Sequence, residues 1–307
     1  MIPTAPPEFR SGFTALIGRP NVGKSTIMNR LVGQKVAITS AVAQTTRNRL
    51  RGILTRPDAQ IIFVDTPGIH KPHHSLGEVL VKTAIASIDA VDLVLFVVDG
   101  STPCGKGDQF IADLLNRAQT PVLLGINKLD LAPADAAQRA AVLDSYIQLA
   151  TQRQWPYHTF SAETGEGLEE LLVQEIQRLP LGPYYYPPDL ITDQPERFIM
   201  GELIREQILS LTREEVPHSV AITIERVEED PKITRILATV HVERPSQKAI
   251  LIGQGGTMMK AIGSQARQQI QKLLMGKVYL ELFVKVQPKW RESSARLAEF
   301  GYRLESD

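Results

Sequence analysis

The chain has 307 residues, 43% hydrophobic and 22% charged, and 34 basic side chains balance 34 acidic ones. Such a composition excludes a disordered or collagen-like chain and leaves room for two hydrophobic cores. No apolar run approaches the ~20 residues of a membrane helix, and the one cysteine, Cys104, excludes an internal disulfide and fits a reducing compartment.

MIPTAPPEFRSG carries neither the basic nor the apolar block of a signal peptide. A cytoplasmic location is expected, with peripheral contact at the inner face of the cell membrane left open. The neutral total hides an asymmetry. Residues 1–180 are balanced, 181–231 carry a net charge of −7 and 232–303 a net charge of +9. The last block is the part suited to meet a polyanion.

Residues 13–180 alternate short apolar runs with helical patterns. FTALIG (13–18), IIFVD (61–65), LVLFVVD (93–99), VLLGIN (122–127) and YHTF (157–160) read as strands. Runs apolar on both faces and separated by helices predict a mostly parallel sheet covered by helices on both faces, an α/β phosphate-loop domain over 1–180. LPLGPYYYPPDL (179–190) holds four prolines, and 181–190 reads as a linker. A helix over about 195–212, strands over 218–228 and 232–243, short helices near 249–274, a strand over 277–287 and a helix starting near Pro288 then predict a smaller α+β domain over 191–307.

Gly18-Arg19-Pro20-Asn21-Val22-Gly23-Lys24-Ser25 fits G-x-x-x-x-G-K-[ST] between a strand and a helix. Its backbone N–H groups converge on phosphate oxygens, Lys24 reaches the β/γ charge, and Ser25 offers a hydroxyl to magnesium. Asp65-Thr66-Pro67-Gly68 ends a strand, where the carboxylate can hold magnesium through water and the Gly68 N–H can meet the γ-phosphate. Asn127-Lys128-Leu129-Asp130 ends another. An aspartate there accepts from both N1–H and the 2-amino group of guanine, donors that adenine lacks, so GTP and GDP are the expected ligands. Ser161-Ala162, after the next strand, is expected to bring a backbone N–H near guanine O6. Magnesium needs a further oxygen ligand. In Ala43-Gln44-Thr45-Thr46-Arg47, Thr46 is favoured over Thr45, and Lys24, Thr46 and Gly68 are the expected catalytic groups.

Ile69 stands where Ras-like enzymes place a water-orienting glutamine and cannot hydrogen-bond a water. Asn21 is a candidate to hold potassium against the phosphates. His70, His73 and His74 match no structural zinc spacing and read as solvated loop residues.

AILIGQGGTMMKAIG (249–263) is glycine-rich but lacks G-K-[ST] and a proper G-x-G-x-x-G. Gly253-Gln254-Gly255-Gly256 is instead a G-x-x-G turn between helical patterns, the device by which a KH module clamps about four nucleotides. Ile252 would line the base groove, and Lys248, Lys260, Arg267, Lys272, Lys289 and Arg291 supply cations nearby.

With GRPNVGKS, QTTR, DTPG, NKLD, SA and IGQGG in order, the chain resembles the Era family of bacterial GTPases over nearly its whole length. The resemblance implies a P-loop GTPase domain followed by a type II KH domain. It also implies slow magnesium-dependent GTP hydrolysis, binding of single-stranded RNA near the 3′ end of 16S rRNA, and a role in small ribosomal subunit assembly. DNA is not an expected partner.

Carried over, nucleotide contacts fall on Gly18 to Thr26, Asp65, Gly68, Asn127, Lys128, Asp130, Ser161 and Ala162. Metal contacts fall on Ser25, Thr46 and Asp65, and RNA contacts on Ile252, Gly253, Gln254, Gly255, Gly256, Lys260, Lys289 and Arg291. The family similarly lacks the glutamine at Ile69. One departure is that Gln254 and Gly255 stand where many KH loops carry a cation, a charge that Lys260 can replace. Two rivals remain. One is a membrane-associated signalling GTPase whose basic C-terminal domain meets anionic lipid. The other is a tRNA-modifying or other assembly GTPase, which chain length argues against.

Overall fold

The computed structural model describes residues 2–40, 45, 50–69, 84–85, 87–214 and 216–300. They form two compact units, one of residues 2–37, 50–69, 84–85 and 87–193, the other of residues 38–40, 45, 194–214 and 216–300.

The first unit is built on β1 (Arg10–Ile17), β2 (Leu50–Thr55), β3 (Ala59–Asp65), β4 (Leu93–Asp99), β5 (Val122–Asn127) and β6 (Tyr157–Thr159), in the spatial order β2-β3-β1-β4-β5-β6. All neighbours are parallel except β2, which runs antiparallel to β3. The helices are α1 (Lys24–Val32), α2 (Lys106–Leu115), α3 (Ala136–Gln152) and α4 (Leu168–Arg178). Ala15, Ile17, Val94, Phe96 and Val98 point to one face and pack with Ile111 and Leu115 of α2 and Val142 and Tyr146 of α3. The alternate residues Leu16, Leu95 and Val97 are equally buried. A strand apolar on both sides therefore signals the covered sheet, as expected.

Register then sets the site. Leu16 pairs with Asp65 and Asp99 with Asn127, so the strand ends carrying the sequence motifs come to one carboxyl edge.

The segment expected to be a linker is strapped to this unit. Gly182 N–H donates to Phe9 O, Ser11 Oγ to Pro183 O, and Tyr185 and Tyr186 N–H to Gln60 Oε1. Ile53 N–H reaches Ile191 O, so the boundary lies between Asp193 and Gln194. Four prolines made this stretch extended, and backbone hydrogen bonds gave it partners.

The second unit carries α5 (Glu196–Leu211), β7 (Ala221–Asp230), β8 (Ile233–Val242), α6 (Pro245–Ile252), α7 (Thr257–Leu274), β9 (Val278–Val286) and α8 (Ser294–Glu299). Its sheet has the order β7-β8-β9, antiparallel then parallel. Ile204 and Ile208 of α5, Ala238 and Val240 of β8, and Ile262, Ala266 and Ile270 of α7 form the core. Their spacing on α7 is the helical stripe visible in the sequence.

Candidate functional site

The phosphate loop links β1 to α1. Gly18 (φ 159°) leaves no room for a side chain, since a Cβ there would stand 2.3 Å from Val97 O. Gly23 adopts φ 103°, and a Cβ there would stand 2.2 Å from Asn127 Nδ2. Both glycines are required by space, and Gly23 by its backbone angle as well.

Lys24 is buried, and its ammonium donates to Gly18 O at 3.2 Å and Arg19 O at 3.0 Å. Burial pushes its pKa down to about 8, against the attraction of Asp65. A triphosphate in the loop would restore the charge. Ser25 Oγ donates to Asp65 Oδ2 at 2.6 Å. A hydroxyl and a carboxylate so close, at the mouth of a phosphate loop, are the hard oxygen donors that magnesium takes, and the site fits that ion. Ile69 is buried, and its N–H donates to Gly18 O at 3.1 Å.

The base-recognition motif is braced from behind. Asn127 Nδ2 donates to Val22 O at 2.8 Å while its Oδ1 accepts from Ala162 N–H at 2.9 Å, tying the phosphate loop to the Ser161-Ala162 turn. Of the Ser161-Ala162 pair expected to bring a backbone N–H near guanine O6, the Ala162 N–H thus has Asn127 as its partner here and the Ser161 N–H donates to Glu166 O at 2.9 Å. Ser161 Oγ donates to Asp130 Oδ1 and orients that carboxylate.

Lys128, in the left-handed region at φ 68°, donates to Asp99 Oδ2 at 2.6 Å. Burial opposes ionisation of Asp99, but hydrogen bonds from Lys128 and Ser101 outweigh it and hold the carboxyl below its usual range. Arg19 Nε meets the buried Asp108 Oδ1 of α2 at 2.7 Å. Sequence reasoning missed Asp99 and Asp108. Asp99 had a visible signal, an aspartate that closes an apolar strand as Asp65 does in DTPG, whereas nothing local marks Asp108 as the partner of Arg19.

Thr46, His70, His73 and His74 lie outside the described residues. Among the described residues no cluster of His, Cys, Asp and Glu is suited to a metal ion, and no helix is long and apolar enough to cross a membrane.

In the second unit the G-x-x-G turn sits between α6 and α7. Gly253 (φ 70°, ψ 173°) occupies a region that only glycine uses readily, and a Cβ there would stand 2.8 Å from Met258 Cβ. Gly255 (φ 59°) and Gly256 (φ 79°) face open space. A groove of about 760 Å³ opens beside them, lined by Ile252, Gly256, Met259, Lys260, Arg267, Tyr279 and Phe283 among others. Of the expected RNA contacts, Ile252, Gly256 and Lys260 line it, and Gly253, Gln254, Gly255, Lys289 and Arg291 do not. Arg291 instead pairs with Glu243, with Nε at 2.9 Å from its carboxylate. Tyr279 and Phe283 were missed. They alternate along β9 with residues facing the helices, and an exposed aromatic on a strand reads from sequence as ordinary β-propensity.

Residues 13–128 match the family model of the 50S ribosome-binding GTPases, and residues 215–291 that of the KH domain. The GTPase Era of Nostoc sp. is 71% identical over 304 residues, 99% of this chain and 93% of that protein. The GTPase Era of Leuconostoc citreum is 49% identical over 300 residues, 97% of this chain and 98% of its own. Era in complex with MgGDPNP and nucleotides 1506–1542 of 16S ribosomal RNA superposes with a TM-score of 0.91 at 38% identity, covering 96% of this chain and 100% of that one. A variant of Aquifex aeolicus Era bound to GDP.AlF4- gives the same TM-score of 0.91 and the same coverage at 37% identity.

Proposed function

Because the chain belongs to the Era family of GTPases, we propose that it binds GTP with magnesium, hydrolyses it slowly, and holds single-stranded RNA of the 16S rRNA 3′ region during small-subunit assembly. On this reading residues 18–26, Asp65, Gly68, Asn127, Lys128, Asp130, Ser161 and Ala162 form the nucleotide site. Ser25, Asp65 and Thr46 hold magnesium, which neutralises charge on the β- and γ-phosphate oxygens. Asp130, oriented by Ser161, reads guanine. A cytoplasmic location follows from the same reading.

Slow hydrolysis is supported by Ile69, whose buried side chain offers nothing to the attacking water. Asn21 (φ 64°) sits in the phosphate loop, where its side-chain oxygen can hold potassium. Equal turnover in potassium and sodium would remove that role.

The observation that carries the RNA reading is the turn of bare backbone at Gly255 and Gly256, of which Gly256 lines a groove that also holds Lys248, Lys260 and Arg267. Phosphates approach where no Cβ stands, and bases lie against Ile252, Met259 and the β9 edge. The test is binding of the full chain to labelled 3′-terminal 16S rRNA oligonucleotide across a salt series, beside duplex DNA and anionic vesicles. Gly255→Asp is the informative variant. Aspartate tolerates the left-handed angle at Gly255, so the change adds a negative charge with little strain. RNA preference, a negative log–log salt slope and loss of binding in the variant are expected. Vesicle binding that ignores Gly255→Asp, without RNA preference, would favour the membrane-associated GTPase instead.

A further inference from the structure

Tyr279 and Phe283 are large apolar side chains of β9 that the core does not use. Val278, Leu280, Leu282 and Val284 alternate with them and make the strand's contacts with the core. The two rings therefore stand on the opposite face of the sheet, with Tyr279 48% and Phe283 53% exposed. β9 is also an edge strand: the sheet order is β7-β8-β9, and among the described residues no strand pairs with its far side. Large apolar side chains on an open edge invite aggregation and add little to folding, so stability does not account for them.

The rings sit where single-stranded RNA leaving the groove would pass. Both line the groove that Gly256 and Lys260 line, and so form its rim along β9. Four residues of strand separate them by about 13 Å, too far for the rings to stack on each other, so each keeps a face for a partner. Arg235, opposite Tyr279 in the β8–β9 register, holds its guanidinium 5.7 Å from the centre of that ring. A cation there braces the ring and draws a polyanion toward it. Glu281 stands exposed between the two aromatics on the same face. Its carboxylate repels phosphates and accepts from base amino groups, which turns bases rather than backbone toward this strip.

We propose that Tyr279 and Phe283 are base-stacking residues: RNA seated at the glycine turn follows the groove and crosses the free edge of β9, with one base on each ring. The proposal rests on the reading that this unit holds single-stranded RNA, and adds to it an aromatic subsite on the face away from the helices. Stacking accepts any base, since each has a π-face, while Glu281 favours bases with an exocyclic amino group over uracil.

The test uses the full chain and a labelled 3′-terminal 16S rRNA oligonucleotide across a salt series. Tyr279→Leu and Phe283→Leu each keep an apolar side chain on a face that the core does not use, so the fold is retained. Each is expected to weaken RNA binding about tenfold and to leave the log–log salt slope at its wild-type value, because no cation is lost. Lys260→Met is the contrast, with a shallower slope. Stacking also quenches 2-aminopurine. With that base placed at successive positions of the oligonucleotide, at least one position is expected to be quenched by wild type and released by Phe283→Leu, a signature that a merely structural role would not give. Leucine variants that bind like wild type while Gly255→Asp loses binding overturn the stacking proposal and leave the RNA reading standing. So do losses accompanied by a shallower slope, or a 2-aminopurine scan in which no position is released. A wild-type chain with no preference for the RNA overturns both.

Discussion

Glu175 on α4 is fully buried, and among the described residues neither of its carboxylate oxygens has a hydrogen-bond partner. The Thr14 hydroxyl of β1 is the group that could donate to it, which would lower the pKa, but burial is the larger influence. Burial pushes the Glu175 pKa up from 4.5 to about 8. In the unfolded chain the group ionises near 4.5, and in the folded chain it keeps its proton to about 8. Its contribution to stability is therefore full at low pH and is lost progressively as pH rises from the unfolded value through the folded one. Integrating between pH 6 and pH 8 gives a loss of about 2 kcal/mol from this one side chain. Glu175→Gln keeps the shape and removes the titration. The expected result is a variant whose advantage over wild type grows by about 2 kcal/mol across that interval. Amide exchange of β1 and β4 core residues, read by mass spectrometry at several pH values, reports this unit without requiring both units to unfold together. A difference between the two proteins that does not change with pH would refute the account.

Lys24 gives a second pH dependence. In the nucleotide-free protein it loses its proton near pH 8, whereas bound phosphate favours the charged form, so GTP affinity should be flat below pH 8 and weaken above it. Calorimetry in buffers of different ionisation heat should show proton uptake on binding at pH 8.5 and almost none at pH 6.5. Asp130→Asn should weaken GTP by roughly 10³-fold or more, because an amide cannot accept from both guanine donors, and xanthosine triphosphate should recover much of the loss. At the glycine turn, Gly253→Ala should lower thermal stability of the second unit by about 2–3 kcal/mol, since it meets both a glycine-only angle and Met258. Gly255→Ala, which meets open space, should lose only about 1 kcal/mol. Equal losses at the two positions would contradict the geometry.

The nucleotide chemistry was legible in the sequence because each part of it is contiguous. A phosphate loop works through successive N–H groups of one short turn, and Asn127 to Asp130 occupy one strand end, so spacing along the chain is also spacing in space. The glycine turn at 253–256 is local in the same sense, and the fully apolar runs announced the covered sheet. β2 did not announce itself. LRGILT shows neither strict alternation nor an unbroken apolar run, and only pairing with β3 makes it a strand.

Tertiary structure decided what depends on partners distant in sequence. Arg19 finds Asp108, Arg291 is taken up by Glu243, and a proline-rich stretch becomes a strap across β1, β2 and β3. Residues 38–40 and 45 group with the second unit, and Ile38 joins a core whose other members all lie beyond 193. A carboxylate on an otherwise ordinary amphipathic helix becomes a buried acid because Glu175 happens to face β1. Residue type and spacing carry local geometry, but burial and pairing energies belong to whichever surfaces the fold brings together, and no spacing along the chain encodes those.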